Sequence, residues 1–293
     1  MKPTFDVGKA LTFGLDVFTA RPMAFVTLAV WTVLYGAVLG VIQLQAIGPE
    51  LATLSELNMS PDPSDPSAAL AAMGEYFWLA LPFFAVATVL GIIAEAAWLR
   101  LFMRGQDGGI FPFRLGRDEI IYTISSLLVG LALLAGLMLT FVAMIVISLV
   151  LAALGPVGIA IGSALGFIVL TGVMIAGLTL VTPVMALSLL RGRIAIIETF
   201  SGVRKMFWPL LGSLIVAVVG YMLFYALLTG VLGAMPFDQY GILPDGEVAR
   251  WATLFPYFVV VQAIGIVPVA LLRGVACYAA LQIDEAAAAP KTP

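Results

Sequence analysis

Six long apolar stretches constrain the structure of this chain more than any other feature of its sequence. A helix needs roughly 20 consecutive apolar residues to cross the hydrocarbon core of a bilayer, and each stretch reaches that length. Only 11% of the 293 residues are charged and 62% are hydrophobic, so much of the surface requires lipid rather than water around it. The predicted spans are Met23–Leu44, Tyr76–Phe102, Ile120–Leu154, Val157–Leu190, Trp208–Leu232 and Leu254–Ile283.

The connections between the spans predict one all-α membrane domain, residues 1–293, built as three helical hairpins. Little more than Gly155 and Pro156 separates the third span from the fourth. Proline cannot continue the preceding helix and glycine permits a sharp turn, so a tight hairpin is expected there. The segments 45–75 and 233–253 are predicted to be extracytoplasmic loops. Within the first of them, Ser67 is predicted to be the N-cap of the helix that leads into the second span.

The distribution of lysine and arginine predicts the orientation of the chain. Every basic residue except Arg250 lies in the N-terminal segment, in the connections that follow the second and fourth spans, or near the C-terminal end. Basic residues accumulate on the cytoplasmic side of membrane proteins. Both chain ends are therefore expected in the cytoplasm.

Amphipathic segments precede the odd-numbered spans. Polar side chains recur every three or four positions in residues 5–21 and 194–206, and Phe113–Glu119 is a shorter version. This period predicts helices that lie at the cytoplasmic interface. An Arg-Gly pair also lies near the cytoplasmic end of each even span. This favours three related units, although the pair is equally typical of any cytoplasmic helix end. The three pairs are Arg104-Gly105, Arg191-Gly192 and Arg273-Gly274.

Glu95 is the only acidic residue inside a predicted span. A charge in that position costs ~2.5–3.5 kcal/mol, so it requires a partner, water or a proton. Arg100 faces another side of the same helix, whereas Arg273 lies at a similar depth in the sixth span. We therefore expect an intramembrane ion pair between Glu95 and Arg273. It would serve either as a proton relay or anion site, or as a structural link between two helices.

Three glycines spaced four apart begin the fourth span: Gly158, Gly162 and Gly166. Such a stripe allows another helix to approach closely. The pattern fits both dimerisation and packing within the chain, and the covalently adjacent third span favours packing within the chain.

Prolines inside the spans could either kink ordinary helices or break them to build a transport site. The sixth span is the best candidate for a functional break, because Gln262, Gly265 and Pro268 lie close together there. The other prolines within spans are Pro82, Pro183 and Pro256.

The composition argues against most enzyme classes. The chain has no histidine and a single cysteine, Cys277, so the usual general base of a serine protease and the usual zinc ligands are missing. A membrane aspartyl protease needs two intramembrane carboxylates, and only Glu95 is available. No glycine-rich phosphate loop with its lysine occurs, and no basic stripe suited to nucleic acid. We therefore expect no catalytic residue, no metal, no cofactor and no nucleic-acid partner.

One region resembles a known family. Thr182-Pro183-Val184-Met185 is followed by a short basic turn, by an amphipathic helix that contains residues 200–205, and by Trp208-Pro209-Leu210. This pattern resembles bacterial six-helix inner-membrane proteins related to the membrane domain of glycerophosphodiester phosphodiesterases. The resemblance implies a multi-pass protein of the bacterial inner (plasma) membrane. It implies no catalytic residues, since no soluble segment is large enough to be the phosphodiesterase domain.

Two functions from different classes remain open at this point. The sequence favours a non-enzymatic structural or accessory subunit that acts through contacts with the lipid bilayer and with a membrane-protein partner or another copy of itself. The alternative is a small secondary transporter or permease with Glu95 and Arg273 at its centre. A polar cavity beside these two residues would favour transport, whereas a close-packed interior with an exposed stripe of small residues would favour the subunit.

Overall fold

The computed structural model describes residues 5–59, 66–106, 108–153, 155–232 and 249–288, and these ranges contain helices and turns but no strand. Six segments of the described chain are long and apolar enough to cross a membrane. The predicted all-α, six-span class is thereby confirmed. The helices are α1 (Val7–Ala20), α2 (Pro22–Met59), α3 (Pro66–Arg104), α4 (Arg117–Ala152), α5 (Pro156–Val181), α6 (Val184–Arg191), α7 (Ile196–Leu232) and α8 (Trp251–Ala288).

Helical structure extends into the segment 45–75 that was predicted to be a loop. α2 continues to Met59 and α3 already begins at Pro66. The prediction that Ser67 caps a helix is therefore wrong, because Ser67 lies inside α3. Proline is well suited to the first helical position, where its missing N–H group needs no partner. Of the second predicted loop, residues 233–248 lie outside the described residues.

The fourth predicted span consists of two helices. α5 ends at Val181 and α6 begins at Val184, with Thr182 and Pro183 between them. By contrast, α8 continues through both Pro256 and Pro268. The sixth span, which was the best candidate for a break, is therefore continuous, and the helix is interrupted at Thr182 and Pro183 in the fourth span instead.

The amphipathic segment 194–206 joins the fifth span in one bent helix, α7. Met206 has non-helical backbone angles (φ −124°, ψ 20°). Pro209 follows three residues later, and a proline removes a helix hydrogen bond and crowds the preceding turn. The bend therefore separates the segment 194–206 from the membrane-spanning part of α7.

α1 crosses α8 at very short range. Its first turn is capped by Asp6, whose Oδ1 accepts a hydrogen bond from the Lys9 backbone N–H at 3.1 Å. At the crossing, a Cβ added to Gly14 would lie 2.9 Å from the carbonyl oxygen of Ala270, and one added to Gly274 would lie 2.9 Å from the Gly14 nitrogen. Only glycine permits this approach, which fixes the stretch of α8 on either side of Arg273.

The largest group of buried apolar side chains lies toward one end of the bundle. It combines the last part of α3 with α1, with α6, with the first part of α7 and with the C-terminal half of α8. Trp98 at its centre is fully buried, and its ring meets Phe25 edge to face with ring centres 4.9 Å apart. This buried group begins directly after Glu95 in α3 and includes residues on either side of Arg273 in α8.

Candidate functional site

The structure brings Glu95 of α3 and Arg273 of α8 together. The Nε of Arg273 donates a hydrogen bond to Glu95 Oε2 at 2.9 Å, and its Nη2 donates to Oε1. Two parallel hydrogen bonds between a guanidinium and a carboxylate are the strongest geometry available to such a pair. The pair joins two membrane-spanning helices that are far apart in sequence.

Trp98 contacts Arg273 and is itself hydrogen-bonded to Thr32. The guanidinium carbon of Arg273 lies 5.0 Å from the centre of the Trp98 ring, which is within the range of a cation–π contact. Trp98 Nε1 donates to Thr32 Oγ1 at 3.1 Å, and Thr32 Oγ1 in turn donates to the backbone carbonyl of Leu28 at 2.8 Å. The indole that contacts the guanidinium is therefore held both by its burial and by this chain of hydrogen bonds.

A cavity of about 330 Å³ lies beside the ion pair. Polar side chains from α2, α3, α7 and α8 face it, and one third of the Glu95 side chain remains accessible there against 13% of Arg273. The carboxylate is thus the more accessible partner of the pair. The polar lining residues are Thr32, Tyr35, Glu95, Tyr221, Tyr225, Gln262 and Arg273.

Small residues on α2 bring α8 close enough to place Gln262 at this cavity. A Cβ added to Gly36 would lie 2.8 Å from the Gln262 amide carbon, and one added to Gly40 would lie 2.6 Å from the Phe258 ring. Gln262, Gly265 and Pro268, which the sequence singled out, all line the cavity. They do so on a continuous helix, so the polar site forms without a break in α8.

The tyrosines were not anticipated from the sequence. Tyr221 and Tyr225 lie one turn apart on α7, with nearly parallel rings whose centres are 6.4 Å apart. Tyr35 faces the same cavity from α2. Spacing by four on a span that otherwise carries apolar residues was the available signal for Tyr221 and Tyr225.

A second buried ion pair was also missed. Arg100 and Glu119 are both almost completely buried, and Arg100 Nη1 donates to Glu119 Oε1. Beside them, Arg104 Nη1 lies 2.9 Å from Asp118 Oδ2, and Arg104 Nη2 donates to the Leu189 carbonyl. The two arginines are one turn apart on α3 and the two acids are adjacent at the start of α4. Since these groups satisfy one another, they are best described as a structural link between α3, α4 and α6.

The glycine stripe of the fourth span faces α4. Gly158, Gly162 and Gly166 are buried. A Cβ on Gly166 would lie 2.4 Å from the Met144 methyl carbon, and one on Gly162 would lie 3.5 Å from the Cα of Ser148. In this structure the stripe serves contacts within the chain and is not exposed to a partner.

Within the described ranges, no group of three or more Cys, Asp or Glu side chains could hold a metal ion. Cys277 is fully buried in the core, where reagents dissolved in water do not reach it. It therefore offers no reactive thiol at the cavity.

Comparisons with protein-family models, with curated proteins and with solved structures found no match. The similarity to membrane domains of glycerophosphodiester phosphodiesterases is therefore an expectation from the sequence alone.

Proposed function

We propose that this protein is a small transporter that binds a polar solute in the cavity beside Glu95 and Arg273. The observation that carries the proposal is a partly accessible carboxylate at a cavity inside the membrane-spanning region. Glu95 lies nine residues before the end of the candidate span Phe77–Arg104, which corresponds to roughly 13 Å of helix. Arg273 lies within the candidate span Trp251–Ala288.

The energetics of buried charges support a functional role. Apolar residues of similar volume often stabilise a protein as well as a buried ion pair does, or better. Stability alone therefore gives little reason to keep two charges within a lipid-spanning region. Ionisable residues in such positions usually mark a path for substrate or ions. The polar side chains that converge on the same cavity from four helices agree with that role.

The broken and bent helices suggest how access to the cavity could alternate. α7 contributes Tyr221 and Tyr225 to the lining and bends at Met206. The break at Pro183 separates α5 from α6. Movement at these two points would shift the cavity-lining part of α7, as hinges do in other transporters. Because Val203, Leu210 and Ala217 of α7 belong to the buried core, this movement would repack part of that core.

Labelling of an introduced cysteine tests whether water reaches the cavity. In a Cys277→Ala background, Gln262→Cys places a thiol on the lining of the cavity. Val267→Cys is the matched control, because Val267 lies on the same helix, is 65% exposed and does not line the cavity. In vesicles, an impermeant trimethylammonium methanethiosulfonate should modify Gln262→Cys at least tenfold faster than Val267→Cys, since thiolates do not form in hydrocarbon. Equal, negligible rates at both positions would refute the proposal.

Transport requires in addition that the cavity opens to both sides. We expect the same reagent to modify Gln262→Cys when it is added to either face of sealed vesicles in which all molecules share one orientation. Reaction from one face only, under every condition tried, would indicate a binding site without transport.

A structural subunit is the second candidate, and one observation favours it. The pair α4–α5 presents a broad apolar surface on which Leu139 is 74% and Phe167 71% exposed. Lipid or a partner helix could cover this surface. Cysteines introduced at both positions should form cross-links to another protein in native membranes if it is an interface, and none if it faces lipid.

A further inference from the structure

We infer that the ligand of this cavity is a small zwitterion whose ammonium end binds at Glu95 and whose anionic end binds at Arg273 and Gln262. The inference rests on the proposed function, and names the chemical class of the solute. It follows from four features of the site: its net charge, the unequal exposure of the two partners, the aromatic lining and the volume.

The net charge of the site favours a ligand without net charge. Glu95 and Arg273 neutralise each other through two hydrogen bonds. A simple cation or anion would leave one uncompensated charge in a region where an unpaired charge is strongly unfavourable. A zwitterion keeps the sum at zero and still offers each partner an opposite charge.

The exposed groups indicate which end of the ligand binds where. An ionised carboxylate has about four acceptor positions, two of which Arg273 occupies, and one third of the Glu95 side chain is accessible. The negative charge attracts any ammonium group, and the remaining acceptor positions can also accept hydrogen bonds from an ammonium that carries N–H groups. A guanidinium has five N–H donors, so Arg273 can donate to an anion while it still contacts Glu95. The amide of Gln262 provides N–H donors at the same cavity.

The aromatic lining fits the ammonium end. Tyr35, Tyr221 and Tyr225 all line the cavity that Glu95 faces. The faces of tyrosine rings attract ammonium groups within about 6 Å, and more strongly when the groups are desolvated. A carboxylate combined with several such rings is a suitable environment for a methylated or primary ammonium.

The volume limits the ligand to a small molecule or to a headgroup alone. A water molecule takes up about 30 Å³ of liquid volume, so 330 Å³ holds a solute about ten waters in size. A free zwitterionic solute fits, and so does the zwitterionic headgroup of a phospholipid whose acyl chains stay outside. Both sources share the chemistry on which the inference depends.

Protection of a cysteine in the cavity from labelling tests this inference. The Cys277→Ala/Val261→Cys protein keeps the proposed binding group Gln262 and carries its thiol at another position that lines the cavity. It is reconstituted in phosphatidylglycerol vesicles and labelled with uncharged N-ethylmaleimide, which does not compete as an ion. Glycine betaine is the zwitterionic probe, and tetramethylammonium chloride and sodium acetate supply its two halves separately. We expect saturating glycine betaine to slow labelling at least tenfold, tetramethylammonium less than threefold and acetate not at all. Equal protection by either half, or no protection by glycine betaine, would overturn the inference.

The assay separates this inference from the proposed function. Labelling without any probe reports whether water reaches the cavity, on which the transporter proposal depends. If the cysteine never reacts, both proposals fail. If it reacts but glycine betaine does not protect it, only the zwitterion is excluded.

Two variants locate the binding groups. Glu95→Gln should abolish protection, and folding of this variant is checked by size-exclusion chromatography. Tyr225→Leu leaves the ion pair intact, and should raise the glycine betaine concentration needed for half protection about fivefold. Tyr278→Leu is its control, because Tyr278 packs against Phe5 and Phe13 instead of lining the cavity. If Tyr225→Leu behaves like Tyr278→Leu, the proposed ring contact is wrong.

The lipid composition identifies the source of the zwitterion. The headgroup of phosphatidylethanolamine carries an ammonium and a phosphate. If it is the natural occupant, labelling is already slow in phosphatidylethanolamine vesicles before any probe is added. If labelling there is as fast as in phosphatidylglycerol and glycine betaine still protects, the ligand is a free solute.

Discussion

Removal of one partner of the Glu95–Arg273 pair should destabilise the protein far more than removal of both. Glu95→Gln keeps the shape of the side chain but leaves the Arg273 charge uncompensated between α3 and α8. Breaking a buried pair in this way costs about 3–5 kcal/mol. Because one third of Glu95 is accessible, part of that cost is screened, and we expect about 2–3 kcal/mol for Glu95→Gln and for Arg273→Gln.

The double variant should recover much of this loss. With Gln at both positions no charge remains, and the two amides can form a neutral hydrogen bond worth about 1 kcal/mol. The double variant should therefore be at least about 2 kcal/mol more stable than the sum of the two single effects predicts. Unfolding by sodium dodecyl sulfate in mixed micelles, followed by tryptophan fluorescence, measures each free energy of unfolding.

An exposed ion pair of the same residue types provides the control. Arg193 and Glu198 lie 2.7 Å apart, with 58% and 36% of their side chains exposed. Surface pairs contribute roughly 0–1 kcal/mol, so Arg193→Gln and Glu198→Gln should have small, additive effects. If the effects of Glu95→Gln and Arg273→Gln are equally small, or simply additive, the pair is not energetically coupled and the reasoning fails.

Three further predictions concern other parts of the molecule. Arg100→Gln leaves the almost fully buried Glu119 unpaired and should lower the free energy of unfolding by about 3–5 kcal/mol. The same unfolding assay measures this loss, and Arg100→Gln/Glu119→Gln should restore part of it. Gly166→Leu should lower the thermal stability in detergent because the leucine side chain would collide with α4. Gly172→Leu should not, because a Cβ at Gly172 would have no neighbour within 4 Å. Equal effects of the two variants would exclude a packing role for Gly166. Arg204→Cys in a Cys277→Ala background should react with an impermeant reagent only from the cytoplasmic side, and labelling from outside intact cells would invert the proposed orientation.

The predictable features of this protein depend on local sequence. An apolar stretch long enough to span lipid must be helical there, because every backbone N–H and C=O group needs a partner within the segment. That requirement holds whatever surrounds the helix. A lone acid in a span needs a neutralising group because a charge is unfavourable in hydrocarbon. Only Arg273 lay at a matching depth for Glu95.

The features that were missed depend on which helix faces meet. Arg100 was interpreted as one of several cytoplasmic arginines, yet it is buried against Glu119 because the last turns of α3 pack on the start of α4. Pro183 ends α5, whereas Pro268 is accommodated inside α8. A proline has the same local effect in both places, so the surrounding contacts decide whether the helix continues.

The amino-acid sequence by itself determined that most of this chain suits a lipid environment and that six helices are long enough to cross a bilayer. Both follow from the transfer of side chains and backbone groups from water to lipid, which depends on composition and not on neighbours. Only the tertiary structure decided that Glu95 is partly accessible at a polar cavity and that the glycine stripe is covered by α4. Helices already in lipid gain little from burying apolar surface against each other, so close fit between small residues and pairing of polar groups select which faces come together.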